Sequence, residues 1–119
     1  MRGYKVIIGD KRESYSFKSN VYAIQYPVNV EVFPKLEGSR LYFFKNLADA
    51  EAFVYDYCGN YPYKKVVPCI GKNARKVKYV AYAYKDILNF WAKKGKVGDW
   101  DKFIVPRGTW GATSIICLE

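Results

Sequence analysis

The sequence predicts an α+β domain in which a mostly antiparallel β-sheet carries two α-helices. Three observations predict this fold class. Runs of β-branched and aromatic residues outnumber the helical patterns, the connections between them are short, and 119 residues can build one core but scarcely two. We therefore expect residues 1–119 to form a single domain.

The first part of the chain is predicted to be mostly strand. Apolar or alternating runs bounded by turn residues give five expected strands, Tyr4–Gly9, Ser14–Phe17, Val21–Tyr26, Val28–Phe33 and Leu41–Phe44. The fourth run alternates, which places its valines on one face, and Pro34 ends it because proline lacks the N–H that a sheet ladder needs. The fifth run is apolar throughout, which is typical of a strand buried on both sides.

The clearest helix is expected from Asn46 to Cys58. Asn46 can act as the N-cap, and Asp49 three positions later can complete a box-like pairing at the helix start. Apolar residues then recur at helical spacing and form one stripe, Leu47, Ala50, Phe53, Val54 and Tyr57. Gly59 is suited to end the helix, because glycine adopts left-handed backbone angles without steric cost.

The remainder of the chain is predicted to add further strands and the second helix. Strands are expected at Lys64–Ile70, Lys76–Tyr84, Phe103–Val105 and Ser114–Leu118, and the helix at Asp86–Lys94 with Gly95 closing it. Pro68 predicts that the first of these strands lies at a sheet edge, where a missing donor is tolerated.

The composition excludes much hydrolytic chemistry and favours binding of a planar anion. The chain contains no histidine, so a Ser-His-Asp or Cys-His catalytic site is impossible. Its formal net charge is +9, and 18% of its residues are aromatic. Basic side chains neutralise phosphates and aromatic faces stack on bases, so a nucleotide or nucleic acid is the expected kind of partner.

Three cysteines, Cys58, Cys69 and Cys117, lack the paired spacing of a disulfide framework or a zinc site. We expect them to be buried apolar residues, and we expect no metal and no cofactor. No apolar run approaches the roughly 20 residues of a membrane span, and the N-terminus lacks the features of a signal peptide. The expected location is the cytoplasm, without a membrane partner.

Two segments carry candidate binding residues. In the first, residues 72–79, four basic residues fall within seven positions and lead into an aromatic strand: Lys72, Arg75, Lys76 and Lys78, followed by Tyr79. One interpretation is a phosphate-contacting loop beside a stacking platform. The other is a solvated hairpin turn with aromatic core residues behind it.

The second segment, residues 106–111, reads Pro-Arg-Gly-Thr-Trp-Gly. Its two glycines allow a ligand to approach the backbone closely. Arg107 offers a planar fork for phosphate oxygens, Thr109 offers a hydroxyl and Trp110 offers a stacking face. The alternative is an ordinary hairpin turn with Arg107 in solvent.

The order of short motifs along the chain resembles the Thoeris anti-defence sponge proteins of phages and prophages. The residues that carry this resemblance are the opening Arg2–Val6, the central Leu41–Phe44 and Asn46–Phe53, and the closing Val105–Thr109 followed by Ser114–Glu119. The resemblance implies a non-enzymatic protein that binds and sequesters cyclic ADP-ribose isomers and, in some members, cyclic oligonucleotides at separate sites. It also implies a homo-oligomer, a dimer or higher, with ligand pockets between subunits in the host cytoplasm.

For this chain the resemblance implies roles for individual residues. Tyr79 would stack on the ligand, Asn89 would supply hydrogen bonds and Arg107 would bind the pyrophosphate. Thr109 and Trp110 would be neighbours of that site. The basic segment adds Arg75 and Lys78 as candidate ligand-binding residues.

Three other functions stay open from the sequence. A nucleic-acid-binding module would use the Lys72–Lys78 stretch, and its affinity would fall steeply with salt. A protein inhibitor would cover an acidic host defence enzyme, CRISPR-type machinery included, with its basic face. An enzyme would have to rely on Asp, Glu, Lys and Tyr alone.

Overall fold

The computed structural model describes residues 1–14, 24–35, 38–59, 63–81 and 102–119, with the backbone alone described for 79–81 and 102–104. The predicted second helix, together with Asn89, lies outside these ranges. The same holds for residues 15–17 of the predicted second strand and residues 21–23 of the third. Within the described ranges, the chain is a sheet of antiparallel strands packed against one helical segment.

The elements follow the chain in an order that begins and ends with strands. The strands are β1 (Arg2–Ile8), β2 (Glu13–Ser14), β3 (Glu31–Val32), β4 (Leu41–Phe44), β5 (Lys65–Lys72), β6 (Arg75–Lys76), β7 (Tyr79–Ala81), β8 (Lys102–Ile104), β9 (Thr109–Ala112) and β10 (Ser114–Cys117). Helix α1 (Leu47–Phe53) lies between β4 and β5 and continues as one π-helical turn, Val54–Cys58. The main sheet has the order β3-β10-β5-β1-β4-β9-β6, with β2 also paired to β1, while β7 and β8 pair with each other.

The C-terminal segment makes the main sheet curl on itself. Strand β9 pairs with β4, and β10, only one residue further along, pairs with β5. Strands β4 and β5 lie on opposite sides of β1, so the segment from β9 to β10 joins the two sides. The ring of Phe43 fills the inside of the curl, where a Cβ on Gly3 or Gly71 would lie 2.6 or 2.7 Å from ring carbons. Glycine is therefore required at both positions by close approach of the ring.

Each face of the sheet carries its own apolar core. The inner core lies within the curl and consists of Ile7, Tyr26, Leu41, Phe43, Val67, Cys69, Ala112, Ile115 and Cys117. The outer core lies beneath the helix and consists of Val6, Ile8, Phe44, Ala50 and Cys58. Alternation along β1 sends successive side chains to the two cores, as expected for a strand covered on both faces. The predicted burial of the three cysteines is confirmed, and none forms a disulfide.

The first helix begins and ends near the predicted positions. Asn46 occupies the N-cap, but its side chain makes no capping hydrogen bond and instead donates to Asp49 Oδ2 at 3.5 Å. Gly59 follows the last turn with φ of +47°, as expected of a glycine that ends a helix. The outer two positions of the predicted stripe, Leu47 and Tyr57, are exposed, so the buried stripe is shorter than predicted. Across the described ranges, no helix has the length and apolar character needed to cross a membrane.

Lys5 is a charged residue inside the inner core. Its Nζ donates hydrogen bonds to the backbone oxygen of Tyr42 at 2.6 Å and to Ser14 Oγ at 3.2 Å. It also lies 4.6 Å from the ring centroid of Tyr26, within the range of a cation–π contact. Burial lowers the pKa of Lys5 to about 8. These contacts satisfy the ammonium group without bringing it to solvent.

The prediction that Pro68 marks an edge strand is wrong. Strand β5 lies inside the sheet, between β1 and β10. The carbonyl of Pro68 accepts a hydrogen bond from the N–H of Leu118, one residue beyond the end of β10. In an antiparallel ladder the N–H and C=O of one residue point to the same neighbour, so the missing donor of Pro68 faces the end of β10. A central strand tolerates proline at such a position.

Two further strand predictions are wrong in extent. The run predicted as Val28–Phe33 contains only β3, because Asn29 has a left-handed backbone with φ of +60°, and Val28 and Val30 are exposed instead of sharing a buried face. Residues 76–81 of the run predicted as Lys76–Tyr84 are divided between β6 and β7, which belong to different sheets, and residues 82–84 lie outside the described residues. Strand β9, in contrast, is not predicted, because the sequence from 106 to 111 is typical of a turn and Gly111 and Ala112 disfavour a strand.

Candidate anion-binding cleft

A cleft of about 700 Å³ lies where three segments of the chain meet. The segments are the link from β4 into α1, the link from β6 to β7, and the turn that leads into β9. The lining residues are Lys45, Asn46, Asp49, Lys76, Val77, Lys78, Val105, Pro106, Arg107, Gly108, Thr109 and Trp110. We call this space the basic cleft.

Backbone hydrogen bonds join the three segments and so fix the walls of the basic cleft. The N–H of Lys45 donates to the carbonyl of Gly108 at 3.2 Å, which ties the start of the helix to the turn. The N–H of Val105 donates to the carbonyl of Lys78 at 2.9 Å, which ties the turn to the β6–β7 link. The pairing of β9 with both β4 and β6 also holds the three segments together, because each segment adjoins one of these strands.

The turn itself is closed by Thr109. Its N–H and its Oγ1 both donate to the carbonyl of Pro106, at 3.2 and 2.6 Å. Gly108 has φ of +81°, a left-handed conformation that glycine adopts without strain. Thr109 is buried, and its hydroxyl proton is already used within the turn. Its role in the described structure is therefore to hold the turn that presents Arg107.

Positive charge dominates the basic cleft. Four cations line it, Lys45, Lys76, Lys78 and Arg107, against the single carboxylate of Asp49 among the described lining residues. Arg107 is the most accessible of the ion-pair partners: its side chain is 95% exposed, and its Nε lies 3.9 Å from Asp49 Oδ1. An anion entering the cleft would meet the guanidinium group with little displacement of protein atoms.

Trp110 provides an aromatic surface beside these charges. It lies in β9 opposite Phe43 and Lys76, and its side chain is half-buried against the inner core. The Nζ of Lys45 lies 5.6 Å from a Trp110 ring centroid, within cation–π range. Because Trp110 also lines the cleft, its ring offers an aromatic face on which a planar group can stack.

The structure brings together four of the seven predicted site residues: Lys78, Arg107, Thr109 and Trp110. Arg75 does not line the basic cleft, because alternation along β6 sends it to the opposite face from Lys76. The backbone of Tyr79 begins β7 directly after Lys78, and its side chain lies outside the described atoms. Asn89 also lies outside the described residues.

Two charged lining residues, Lys45 and Asp49, were not predicted as site residues. The pairing of β4 with β9 brings them to the turn, and nothing local in the sequence signals that pairing. Lys76, a member of the predicted basic segment, lines the cleft because β6 pairs with β9. Lys72, included in the predicted basic segment, instead forms an ion pair with Glu31 at 3.0 Å, and the hydrogen bond from Lys72 lowers the pKa of Glu31. Its charge is thus already matched.

Comparisons with protein-family models, curated proteins and solved structures found no match for this chain. The resemblance to the sponge proteins therefore stays a prediction. In the part of the chain that the structure describes, no group of three or more cysteine or carboxylate side chains is arranged to hold a metal ion.

Proposed function

We propose that this chain is a non-enzymatic binding protein that sequesters a small phosphorylated nucleotide in the basic cleft. The observation that carries the proposal is the convergence of four cations on a turn flanked by Trp110. A volume of about 700 Å³ falls within the range of small-molecule sites. Phosphate and base are the two ligand groups that cations and an aromatic face bind together.

In this proposal Arg107 binds the phosphates from the solvent side. Its guanidinium can donate two parallel hydrogen bonds to phosphate oxygens, a geometry that lysine cannot match. Lys45, Lys76 and Lys78 surround the same space and neutralise the remaining charge. Trp110 stacks on the base, and the net charge of +9 attracts the anion from a distance.

The proposed ligand class comprises cyclic ADP-ribose isomers and, as a second class, cyclic oligonucleotides. The sequence resemblance supports this choice, and two closely spaced phosphates suit the four cations of the cleft. The proposal includes the predicted helix at 86–94, from which Asn89 would add hydrogen bonds, and Tyr79 as a further stacking residue. It also includes a homo-oligomer that acts in the host cytoplasm, so that the ligand is withheld from its receptor.

The experiment is calorimetry combined with native mass spectrometry, with cyclic ADP-ribose isomers and cyclic oligonucleotides titrated into the purified protein. We expect stoichiometric binding and recovery of the ligand unchanged after heat release. The Arg107→Ala variant should bind about ten- to a hundredfold more weakly, since hydrogen bonds to charged groups contribute about 1.5–3 kcal/mol. Lys11→Ala removes the same charge from an exposed turn and is the matched control.

Two results would count against this proposal. Absence of binding to every one of these nucleotides would remove the sponge function, and conversion of the ligand to a product would show an enzyme instead. Equal affinities of Arg107→Ala and Lys11→Ala would remove Arg107 from the site. The mass of the complex gives the oligomeric state in the same measurement.

A nucleic-acid interface is the second candidate, favoured by exposed cations that continue past the cleft. Arg75, Lys76 and Lys78 are exposed on and just after β6, an edge strand of the main sheet. A polynucleotide would contact all three, and its affinity would fall steeply between about 50 and 200 mM salt. Arg75→Ala distinguishes the two functions, because Arg75 lies outside the basic cleft: it should weaken oligonucleotide binding and leave nucleotide binding unchanged.

A further inference from the structure

Asp49 is an acidic side chain in a cleft that otherwise attracts anions. Its side chain is 19% exposed, and its two oxygens have only long contacts among the described residues. Arg107 Nε lies 3.9 Å from Oδ1, beyond hydrogen-bond distance, and Asn46 Nδ2 lies 3.5 Å from Oδ2. A carboxylate can accept several hydrogen bonds, so Asp49 retains unused acceptor capacity beside Arg107.

The position of this carboxylate is fixed by the turn. A Cβ on Gly108 would lie 2.2 Å from Asp49 Oδ2, so the carboxylate rests directly against the Gly108 backbone. The hydrogen bond from the N–H of Lys45 to the carbonyl of Gly108 holds the same two segments together. Asp49 is thus held next to Arg107 before any ligand arrives.

A carboxylate at this place repels phosphate, and it accepts hydrogen bonds from hydroxyl and amino groups. We infer that Asp49 accepts hydrogen bonds from a ribose hydroxyl while Arg107 binds the phosphate of the same nucleotide. This inference rests on the proposed function and narrows its ligand class. The basic cleft then selects phosphates that carry a sugar with free hydroxyls and discriminates against bare inorganic phosphates.

The inference is tested with three probes: ADP, 2′,3′-dideoxy-ADP, which lacks both free ribose hydroxyls, and inorganic pyrophosphate, which lacks the nucleoside. Each is titrated calorimetrically into the wild-type protein and into Asp49→Ala, Asp49→Asn and Asp10→Ala. Asp10 is an exposed acid just after the C-terminal end of β1 and outside the basic cleft. The Asp10→Ala variant therefore controls for the change in net charge. Asp49→Asn keeps the size of the side chain and guards against loss of the turn.

We expect the Asp49 variants to lose affinity selectively for ADP, the probe with free ribose hydroxyls. Asp49→Ala should weaken ADP binding about tenfold or more, because a hydrogen bond to a charged acceptor is lost. Binding of dideoxy-ADP should change little, and pyrophosphate should bind as tightly or more tightly since a repelling charge is gone. Asp49→Asn should lie between the wild type and Asp49→Ala for ADP. Asp10→Ala should bind all three probes like the wild type.

Different outcomes separate failure of this inference from failure of the proposed function. Equal weakening of all three probes in both Asp49 variants would assign Asp49 to positioning the turn and overturn the inference. Equal affinity of the wild type for ADP and dideoxy-ADP would also overturn the inference. It would mean that Asp49 accepts no hydrogen bond from the ribose hydroxyls. Absence of binding of all three probes to the wild type would overturn the inference, while the titration with cyclic nucleotides decides the proposed function separately.

Discussion

The buried ammonium group of Lys5 should make the stability of the protein depend on pH in a specific direction. Burial lowers the pKa of Lys5 from 10.5 to about 8. Each tenfold change in proton affinity corresponds to about 1.4 kcal/mol, so keeping Lys5 charged in the folded state costs about 3 kcal/mol. This penalty acts in full below pH 8, where both the folded and the unfolded chain hold the proton.

Between pH 8 and 10.5 the folded chain releases the Lys5 proton while the unfolded chain keeps it. The unfolded state then binds more protons, so the free energy of unfolding rises with pH. Other buried groups act in the opposite direction. Burial raises the pKa of Cys69 to about 12 and also raises the pKa values of Cys117, Tyr26 and Tyr42, so these groups destabilise the folded state as the unfolded chain ionises.

A variant isolates the contribution of Lys5 from these opposing groups. Lys5→Met keeps an unbranched side chain of nearly the same length and removes the charge, and urea unfolding is measured for both proteins from pH 7 to pH 10. The free energy of unfolding of the wild type minus that of Lys5→Met should rise by about 2–3 kcal/mol over this interval. Lys11→Met, at an exposed position, should give a difference that does not vary with pH.

Parallel pH profiles for the wild type and Lys5→Met would refute this reasoning, because they would mean that Lys5 has the same proton affinity folded and unfolded. A difference that falls with pH would mean that its partners, the Tyr42 carbonyl and the Tyr26 ring, more than offset the loss of water.

Three further predictions concern the core and the turn. Phe43→Ala should lower the free energy of unfolding by about 3–5 kcal/mol in urea titrations, because the cavity opens at the centre of the curl; an unchanged midpoint would contradict the packing. Gly108→Ala should cost about 1–2 kcal/mol for its left-handed backbone alone, and should displace Asp49, which an altered affinity for ADP would report. Thr109→Val should lower stability by about 1 kcal/mol, whereas Thr109→Ser, which keeps the hydroxyl on Pro106, should restore most of it in thermal melts.

Local patterns predicted much of the fold. The apolar character of β1 and β4, the start of α1 after Asn46, and the glycine after its last turn all follow from neighbouring residues. The predictions failed where pairing between distant strands determines whether a segment is a strand and where it lies in the sheet. Proline in β5 is tolerated because of where β10 ends, and β9 is a strand because β4 and β6 both pair with it.

The candidate site divides in the same way. Arg107, Thr109 and Trp110 were predicted because they share one short motif, and Lys78 because it belongs to a basic run. Lys45 and Asp49 come from a segment near the middle of the chain, and only the pairing of β4 with β9 brings them to the turn. A sequence motif contains only residues that are close together along the chain. It therefore cannot identify cleft residues that a distant segment supplies.

The close packing of the Phe43 ring against Gly71 makes the tolerance of one position depend on the residue at the other. A Cβ on Gly71 would lie 2.7 Å from the Phe43 ring, and a smaller residue at position 43 would leave a cavity. Each change should be harmful alone, whereas alanine at position 71 should cost less once position 43 carries a smaller residue. Gly3 is constrained independently of the ring, because a Cβ there would also lie 2.5 Å from the backbone oxygen of Phe44. Among descendants of this protein, positions 43 and 71 should therefore change together, whereas position 3 should remain glycine.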